Sequence, residues 1–401
     1  MTHKTYDTAV EADWGLATRL VRGGLRRSAF GETSEALFLN SGFVYDDAES
    51  AEARFKGEAA GYMYSRYGNP TIAMLEERLA LLEGAEDCFA TATGMAGVFT
   101  SLMAATKAGD HVIASRALFG SCHHIVTKLL PRWGVETTLV DGPDLDQWRA
   151  ALRPETVAAF IETPANPTLE LIDIAAVAEI VHQNGARLIV DNVFATPLLQ
   201  RPLVLGADVV VYSATKHIDG QGRCLGGAIL SDREFIREKV EPLMRHTGPS
   251  LSPFNAWVML KGLETLELRV ARQCENAVHV AERLERSSKI TRVLYPGLDS
   301  FPQRDLARRQ MTGGSSLVSF DLDGGKAEAF RLLNALKLID ISNNLGDAKS
   351  LITHPTTTTH RAMGAEGRAA IGVGDGLVRV SVGLEDKHDI AVDLEQALAA
   401  V

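Results

Sequence analysis

Asp208-Val-Val-Val-Tyr-Ser-Ala-Thr-Lys-His217 decides how the rest of this chain is read. Four apolar residues, Val209 to Tyr212, run straight into Ser213, Thr215 and Lys216. An uninterrupted apolar run this short reads as a strand buried on both faces. Gly206 before it and Gly220 after it punctuate the segment. A lysine therefore leaves the end of a central strand beside two hydroxyls. It is either a Schiff-base lysine whose hydroxyl neighbours hold a phosphate, or a surface lysine that opens a loop.

The chain on either side alternates. Cys88 to Ala90, His111 to Ala114, Val135 to Val140, Thr156 to Glu162, Arg187 to Asp191 and Gly227 to Ser231 read as strands. Helical stretches separate most of them: Thr93 to Lys107, Gly120 to Leu130, Asp144 to Leu152 and Asp173 to Asn184. That spacing indicates βα units and a mainly parallel, seven-stranded sheet with helices on both faces. Such sheets take ligands outside the carboxyl ends of their strands. After about residue 232 the pattern changes. Helices over Asp232 to Arg245 and Asn255 to Arg286 lead to Ser316 to Asp321, a helix from Lys326 to Leu336, and Leu377 to Gly383. These form a smaller α+β domain. The expected division is an N-terminal arm over 1–60, an α/β domain over 61–255 and a C-terminal α+β domain over 256–401.

The arm carries one helix, Trp14 to Arg22, and a strand or extended piece, Leu37 to Tyr45. It either packs on another subunit or leads loosely into the domain. Tyr62-Met-Tyr-Ser-Arg-Tyr-Gly-Asn-Pro-Thr71 then crowds aromatic residues and Arg66 around a turn. Thr71 is placed to cap the helix Ile72 to Glu83, whose Ile72, Leu75, Leu79 and Leu82 share one face, and Gly84 ends it.

A chain of 401 residues suggests two or three domains, and 46% hydrophobic with 23% charged residues is ordinary globular composition. A net charge of −10 argues against a general nucleic-acid or anionic-membrane surface. Cys88, Cys122, Cys224 and Cys274 are widely spaced, so the sequence offers neither a zinc ribbon nor a disulfide framework and fits a reducing, cytoplasmic setting. No stretch approaches a membrane span or a signal-peptide core.

Chemistry-bearing residues gather at the strand ends and helix starts. Thr93-Gly-Met95 puts backbone N–H groups at a helix N-terminus, an anion site by geometry and dipole. Asp191 ends an apolar strand, Phe119 precedes a helix, and Asn166 sits in a proline-fixed turn. Singly, Asp191 reads as a helix cap, Phe119 as core and Asn166 as a turn residue. Together they supply what pyridoxal phosphate requires: a lysine for its aldehyde, donors for its phosphate, a carboxylate for its ring nitrogen and a ring for its face.

The chain resembles the Cys/Met-metabolism family of pyridoxal-phosphate enzymes, the γ-elimination and γ-replacement group with fold type I. The resemblance rests on Tyr64-Ser-Arg-Tyr-Gly-Asn-Pro-Thr71, Thr93-Gly-Met-Ala96, Glu162-Thr-Pro-Ala-Asn-Pro167, Asp191-Asn-Val-Phe-Ala-Thr-Pro197, Tyr212-Ser-Ala-Thr-Lys216 and Arg379-Val-Ser-Val-Gly-Leu-Glu-Asp386. It implies that Lys216 carries the cofactor, Asp191 pairs with the ring nitrogen and Phe119 stacks on the ring. It also implies that Gly94, Met95, Ser213 and Thr215 hold the phosphate. Tyr64 and Arg66 reach that phosphate from a neighbouring subunit, Asn166 lies beside the 3′-oxygen, and Arg379 clamps the substrate carboxylate. Asn344 joins Arg379 at the substrate. The resemblance further implies a homotetramer built as a dimer of dimers.

Within the group, Tyr212 to Gly227 and Asn344 to Pro355 are most similar to enzymes that act on O-succinyl-L-homoserine with sulfide. Homocysteine and succinate would be the products, in methionine biosynthesis. The acetyl ester and cysteine stay open as leaving group and nucleophile. Four positions depart from the commoner pattern. Phe119 stands where many members have tyrosine, which leaves Tyr64 as the candidate for acid–base work. Val193 replaces a threonine, His217 an apolar or aromatic residue, and Asn344 a serine.

Two readings from other classes are a nicotinamide-dependent oxidoreductase and a non-catalytic scaffold. Gly222, Gly226 and Gly227 make no dinucleotide fingerprint, and the grouping of Lys216, Asp191 and Arg379 speaks against a scaffold. His354-Pro-Thr-Thr-Thr-Thr-His360 lacks a flanking carboxylate or cysteine at ligand spacing, so no metal is expected there. His123-His124 reads as a packing or surface pair. Leu260, Leu263, Leu266 and Val270 read as core.

Overall fold

The computed structural model describes residues 8–401, and the first seven residues of the arm lie outside the described residues. Seven strands form the first sheet: β1 (Asp87–Thr91), β2 (His111–Ser115), β3 (Glu136–Val140), β4 (Thr156–Glu162), β5 (Arg187–Asp191), β6 (Val209–Tyr212) and β7 (Gly227–Ser231). Their order is β1-β7-β6-β5-β4-β2-β3. The strands from β6 to β3 run parallel, while β7 is antiparallel to both its neighbours.

The apolar run before Lys216 is explained by two cores. Val210 and Tyr212 point into a core shared with Met74, Leu79 and Leu263. Val209 and Val211 point into another, with Val98, Leu102 and Val126. All four side chains are at most 2% exposed, and each buried valine contributes roughly 1.5–3 kcal/mol. Burial on both faces removes the polar alternation of a one-sided strand.

Five strands form the second sheet: β8 (Ile290–Leu294), β9 (Leu317–Leu322), β10 (Asp340–Ile341), β11 (Leu351–Thr353) and β12 (Leu377–Ser381), in the order β10-β11-β12-β9-β8. Arg379 sits on the central strand, opposite Ser319 and Thr353. The long helix Leu266–Glu285 serves both cores. Leu266 and Val270 pack beneath the first sheet, and Ala277, Val280 and Ala281 beneath the second.

Three local details differ from the sequence expectation. Asn69, not Thr71, caps the helix Pro70–Glu83, with its side chain accepting from the Thr71 N–H. Pro70 takes the first helical position, where a missing N–H costs nothing. The Thr71 hydroxyl instead donates to Ala36 O and accepts from Phe38 N, each at 2.9 Å, and so ties the arm down. The extended piece Leu37 to Tyr45 forms no strand, only one bridge between Gly42 and Tyr64. The helices beginning at Gly120 and near Asp232 each widen into a π-helical turn, Ile125–Leu129 and Phe235–Val240. Pro131 and Pro242 follow directly, and a proline ring clashes with the carbonyl four residues back. Among the described residues no helix is long and apolar enough to cross a membrane.

Candidate active site

The carboxyl ends of β4, β5 and β6 lie side by side. Glu162 is in register with Asp191, and Asp191 with Val211. The chain leaves β6 through a tight turn, with Lys216 N donating to Ser213 O at 3.2 Å and Gly220 N to Lys216 O at 2.7 Å. This turn aims Lys216 into a cavity of about 250 Å³ between the two sheets. The Lys216 Nζ donates to Asn344 Oδ1 at 2.5 Å. Burial, then the nearby Arg379 guanidinium, lowers its pKa to about 8, so a neutral amine is accessible near neutrality.

The helix Gly94–Ala105 points its N-terminus at the same cavity. Thr93 caps it by accepting from Ala96 N at 3.0 Å. The N–H groups of Gly94 and Met95 belong to the first turn and have no intrahelical acceptor. The helix and the β6 turn approach so closely that a Cβ on Gly94 would lie 2.5 Å from the Ser213 Cβ. Only glycine permits that contact, and it brings the Ser213 hydroxyl beside the free N–H groups. The Thr215 hydroxyl is bonded to the Gly226 backbone, accepting from its N–H at 3.1 Å.

Asp191 and Asn166 form the opposite wall. Asp191 is 8% exposed, and its Oδ1 accepts only from Val193 N, at 3.1 Å. Burial raises its pKa to about 7, and no cation among the described residues lies within bonding distance. Asn166 sits between two cis prolines, Pro164 and Pro167. Its Oδ1 accepts from Arg379 Nη1 at 2.7 Å. Arg379 Nη2 donates to Asn343 O at 3.0 Å and Asn344 O at 3.3 Å. The buried Nε has no partner, and burial lowers the guanidinium pKa to about 10. A planar fork with one unused donor is suited to an incoming carboxylate.

Glu162 ties these walls together, a role that its sequence motif does not announce. Its Oε2 accepts from Phe119 N at 2.7 Å and its Oε1 from Asn166 N at 2.9 Å. It therefore fixes the residue over the cavity and the residue beside Arg379 at once. One signal does point to it: like Asp191, it is an acid that ends an apolar strand. His360 is a second residue without a role in the sequence reading; its Nε2 meets Asn166 O at 3.1 Å. His354 bonds to Asp375 O at 2.8 Å and Thr357 Oγ1 at 2.9 Å. Cys122 Sγ and oxygens of Glu162 and Asp191 lie within 4.8 Å of one another. Both Glu162 oxygens and one Asp191 oxygen already accept N–H bonds, and all three residues line the same cavity as Lys216.

The structure thus gathers Gly94, Met95, Phe119, Asn166, Asp191, Ser213, Thr215 and Lys216 around one cavity, with Asn344 and Arg379 bonded at its edge. It does not gather Tyr64 and Arg66 there. Arg66 lines a separate cleft with Arg237, Glu241 and Arg245, stacks 5.3 Å from the Tyr64 ring and donates to Arg245 O. Tyr64 is 43% exposed.

Pyridoxal phosphate fits the residues present. The Gly94 cradle, free N–H groups and Ser213 hydroxyl suit its phosphate. The uncompensated Asp191 suits its ring nitrogen, and Lys216 its aldehyde.

Residues 17–399 match the family model described as Cys/Met metabolism PLP-dependent enzyme. O-succinylhomoserine sulfhydrylase of Mycobacterium tuberculosis is 60% identical over 387 residues, covering 96% of this chain and 95% of that one. The protein of the same name from Pseudomonas aeruginosa is 50% identical, with 96% and 95% covered. L-methionine gamma-lyase of Porphyromonas gingivalis is 42% identical, with 96% and 97% covered. Among solved structures, metB from Corynebacterium glutamicum superposes with a TM-score of 0.92 at 34% identity, covering 98% of this chain and 99% of that one.

Proposed function

Since the chain belongs to the Cys/Met metabolism PLP-dependent enzyme family, we propose that it replaces the γ-substituent of O-succinyl-L-homoserine with sulfide, giving L-homocysteine and succinate in methionine biosynthesis. The observation that carries this reading is the Lys216 amine, held by Asn344 in one cavity with Asp191 and beside Arg379. Relatives at 60% and 50% identity over nearly the whole chain bear the sulfhydrylase name, and that supports the choice of ester and nucleophile.

When bound, pyridoxal phosphate draws electrons from the substrate α-carbon into its ring. This chain's residues do the rest. Arg379 takes the α-carboxylate on its fork, including the unpartnered Nε. Asn166 orients that fork through Oδ1. Lys216, once neutral, moves protons at Cα and Cβ, and Asn344 steers its amine. Asp191 keeps a proton on the ring nitrogen. Ser213, Thr215 and the N–H groups of Gly94 and Met95 hold the phosphate, and Phe119 covers the ring. At Cγ, the C–O bond breaks with its electron pair leaving on succinate, and a C–S bond forms from hydrosulfide. Phe119 has no exchangeable proton, so acid–base work falls to Lys216 and to Tyr64 of a neighbouring subunit.

Tyr64 and Arg66 act across a dimer in this reading, and two dimers make a tetramer. Support comes from the arm: Phe30 and Val44 are 96% and 92% exposed, and Phe55 is 68% exposed, which is unusual for large apolar side chains unless another chain covers them. The four free cysteines and the acidic composition support a cytoplasmic location. One assay matrix tests the reaction, crossing O-succinyl- and O-acetyl-homoserine with sulfide and cysteine. The succinyl ester with sulfide should give the highest kcat/KM. Preferred formation of cystathionine, or preference for the acetyl ester, would overturn the assignment.

A further inference from the structure

Glu162 and Asp191 occupy paired positions at the ends of adjacent parallel strands, so their side chains leave the same face of the sheet. Both are buried, and they offer carboxylate oxygens within 4.8 Å of each other. No ion pair among the described residues reaches either one. Arg379, the cation that acts on Glu162, spends its fork on Asn166 and the carbonyls of Asn343 and Asn344. Cys122, Tyr212 and Arg379 interact electrostatically with the pair, Lys216 shares its cavity, and His217 and His360 are buried nearby, beside Lys216 and on the Asn166 carbonyl. Burial and the pair's own charge hold Cys122 neutral, burial and then Glu83 hold Tyr212 neutral, and burial keeps His217 and His360 neutral as well. Two negative charges so placed, out of water and without a counter-ion, are strongly disfavoured.

We propose that Glu162 is the second carboxylate of the ring-nitrogen site: with Asp191 it stores one proton in the cofactor-free protein, and that proton passes to the ring nitrogen when pyridoxal phosphate docks. Charge is conserved in this exchange. Before docking, the pair carries one negative charge beside a neutral ring. Afterwards it carries two, and the ring nitrogen carries one positive charge. Glu162 accepts two backbone N–H bonds and Asp191 one, and the stored proton belongs to the pair rather than to either carboxylate. Burial of both groups, with the Asp191 charge acting on Glu162, holds the pair's titration near and above neutrality, with Asp191 raised to about 7 and Glu162 to about 8. This inference rests on reading Asp191 as the ring-nitrogen partner.

The test is the number of protons exchanged when the full-length, cofactor-free protein binds pyridoxal 5′-phosphate. Calorimetry at about pH 7.5, midway between the pair's two titrations, in two buffers of different ionisation enthalpy gives that count. Glu162→Gln removes the repelling charge and lets Asp191 ionise before docking. It should then take up about one more proton per site than the wild type. Glu162→Asp keeps the charge but not the reach to both N–H groups, so it should bind more weakly with the wild-type count. An equal count in Glu162→Gln and wild type would overturn the proposal, because a purely structural role changes affinity and not protons. Infrared difference spectra of the wild type detect the stored proton without a variant. A protonated-carboxyl C=O band should vanish on docking, and its absence beforehand contradicts the stored proton. Failure of every form to take up the cofactor would instead refute the reading of the site as a whole.

Discussion

At the scale of single residues, the site is written in side chains that the fold leaves unsatisfied. Arg379 is 1% exposed and still keeps one donor free, and Asp191 is buried without a cation. Each is costly alone and useful once its ligand arrives. Arg379→Lys keeps the charge and loses the fork, so the KM for the homoserine ester should rise roughly 10- to 100-fold while kcat changes less, by steady-state kinetics. A fall in kcat at constant KM would place Arg379 elsewhere in the reaction. Lys216, Asp191 and Arg379 are legible in sequence because each breaks an apolar strand or its end with a charge. Glu162 obeys the same rule but is masked, since its motif reads first as a proline turn. Thr71 reads as a cap only while Asn69 and Pro70 are passed over, and those two supply the cap and the first helical residue between them.

At the scale of elements, the decisive contact is that of the helix Gly94–Ala105 with the turn after β6. The helix brings the N–H groups, the turn brings Ser213 and Lys216, and Gly94 sets their separation. Gly94→Ala would drive a Cβ against Ser213, whose Cα lies 2.8 Å from the new atom. Overpacking of this kind costs about 1–3 kcal/mol, so cofactor affinity should drop roughly 10- to 100-fold with the circular-dichroism spectrum of the fold retained. Unchanged affinity would mean that the phosphate sits elsewhere. The parallel strands are readable because burial on both faces makes them continuously apolar. The second sheet is harder. β8 is an edge strand with Thr291 and Arg292 exposed, and β11 has only three residues. The exposed pair interrupts the apolar pattern of β8, and three residues are too few for β11 to display a period. The helix Lys387–Leu398 is absent from the sequence reading, although Asp386 caps it and Ile390, Leu394 and Leu398 recur on one face.

At the scale of the whole molecule, a buried polar chain joins the parts. Tyr212 donates to Glu83 at 2.6 Å, Asn192 to Tyr212 at 2.7 Å, Gln200 to Asn192 at 2.8 Å and Gln310 to Gln200 at 3.0 Å. It runs from the end of the helix Pro70–Glu83, past the strand ends that carry Asp191 and Lys216, to the C-terminal part of the chain. Burial raises the Glu83 pKa from 4.5 to about 7. A carboxyl raised in this way contributes stability that is full below its unfolded pKa and lost as pH rises through its folded one. Between about pH 4.5 and 7, wild-type stability should therefore decline relative to Glu83→Gln, by roughly 3 kcal/mol at most in denaturant titrations. A constant difference across that window would show Glu83 ionised throughout. In the proposed dimer, Arg66, which lies away from its own chain's cavity, completes that of a neighbouring subunit. Mixing and refolding Arg66→Ala with Lys216→Ala should then restore partial activity that neither variant has, and no recovery would mean that each chain completes its own site. The expectations for the site depend on a cofactor carried by Lys216. Borohydride reduction of the holoprotein, followed by peptide mass mapping of the entire chain, tests that claim most directly: the pyridoxyl mass should appear once per chain, on the peptide containing Lys216, and its appearance on another lysine or on none would contradict it.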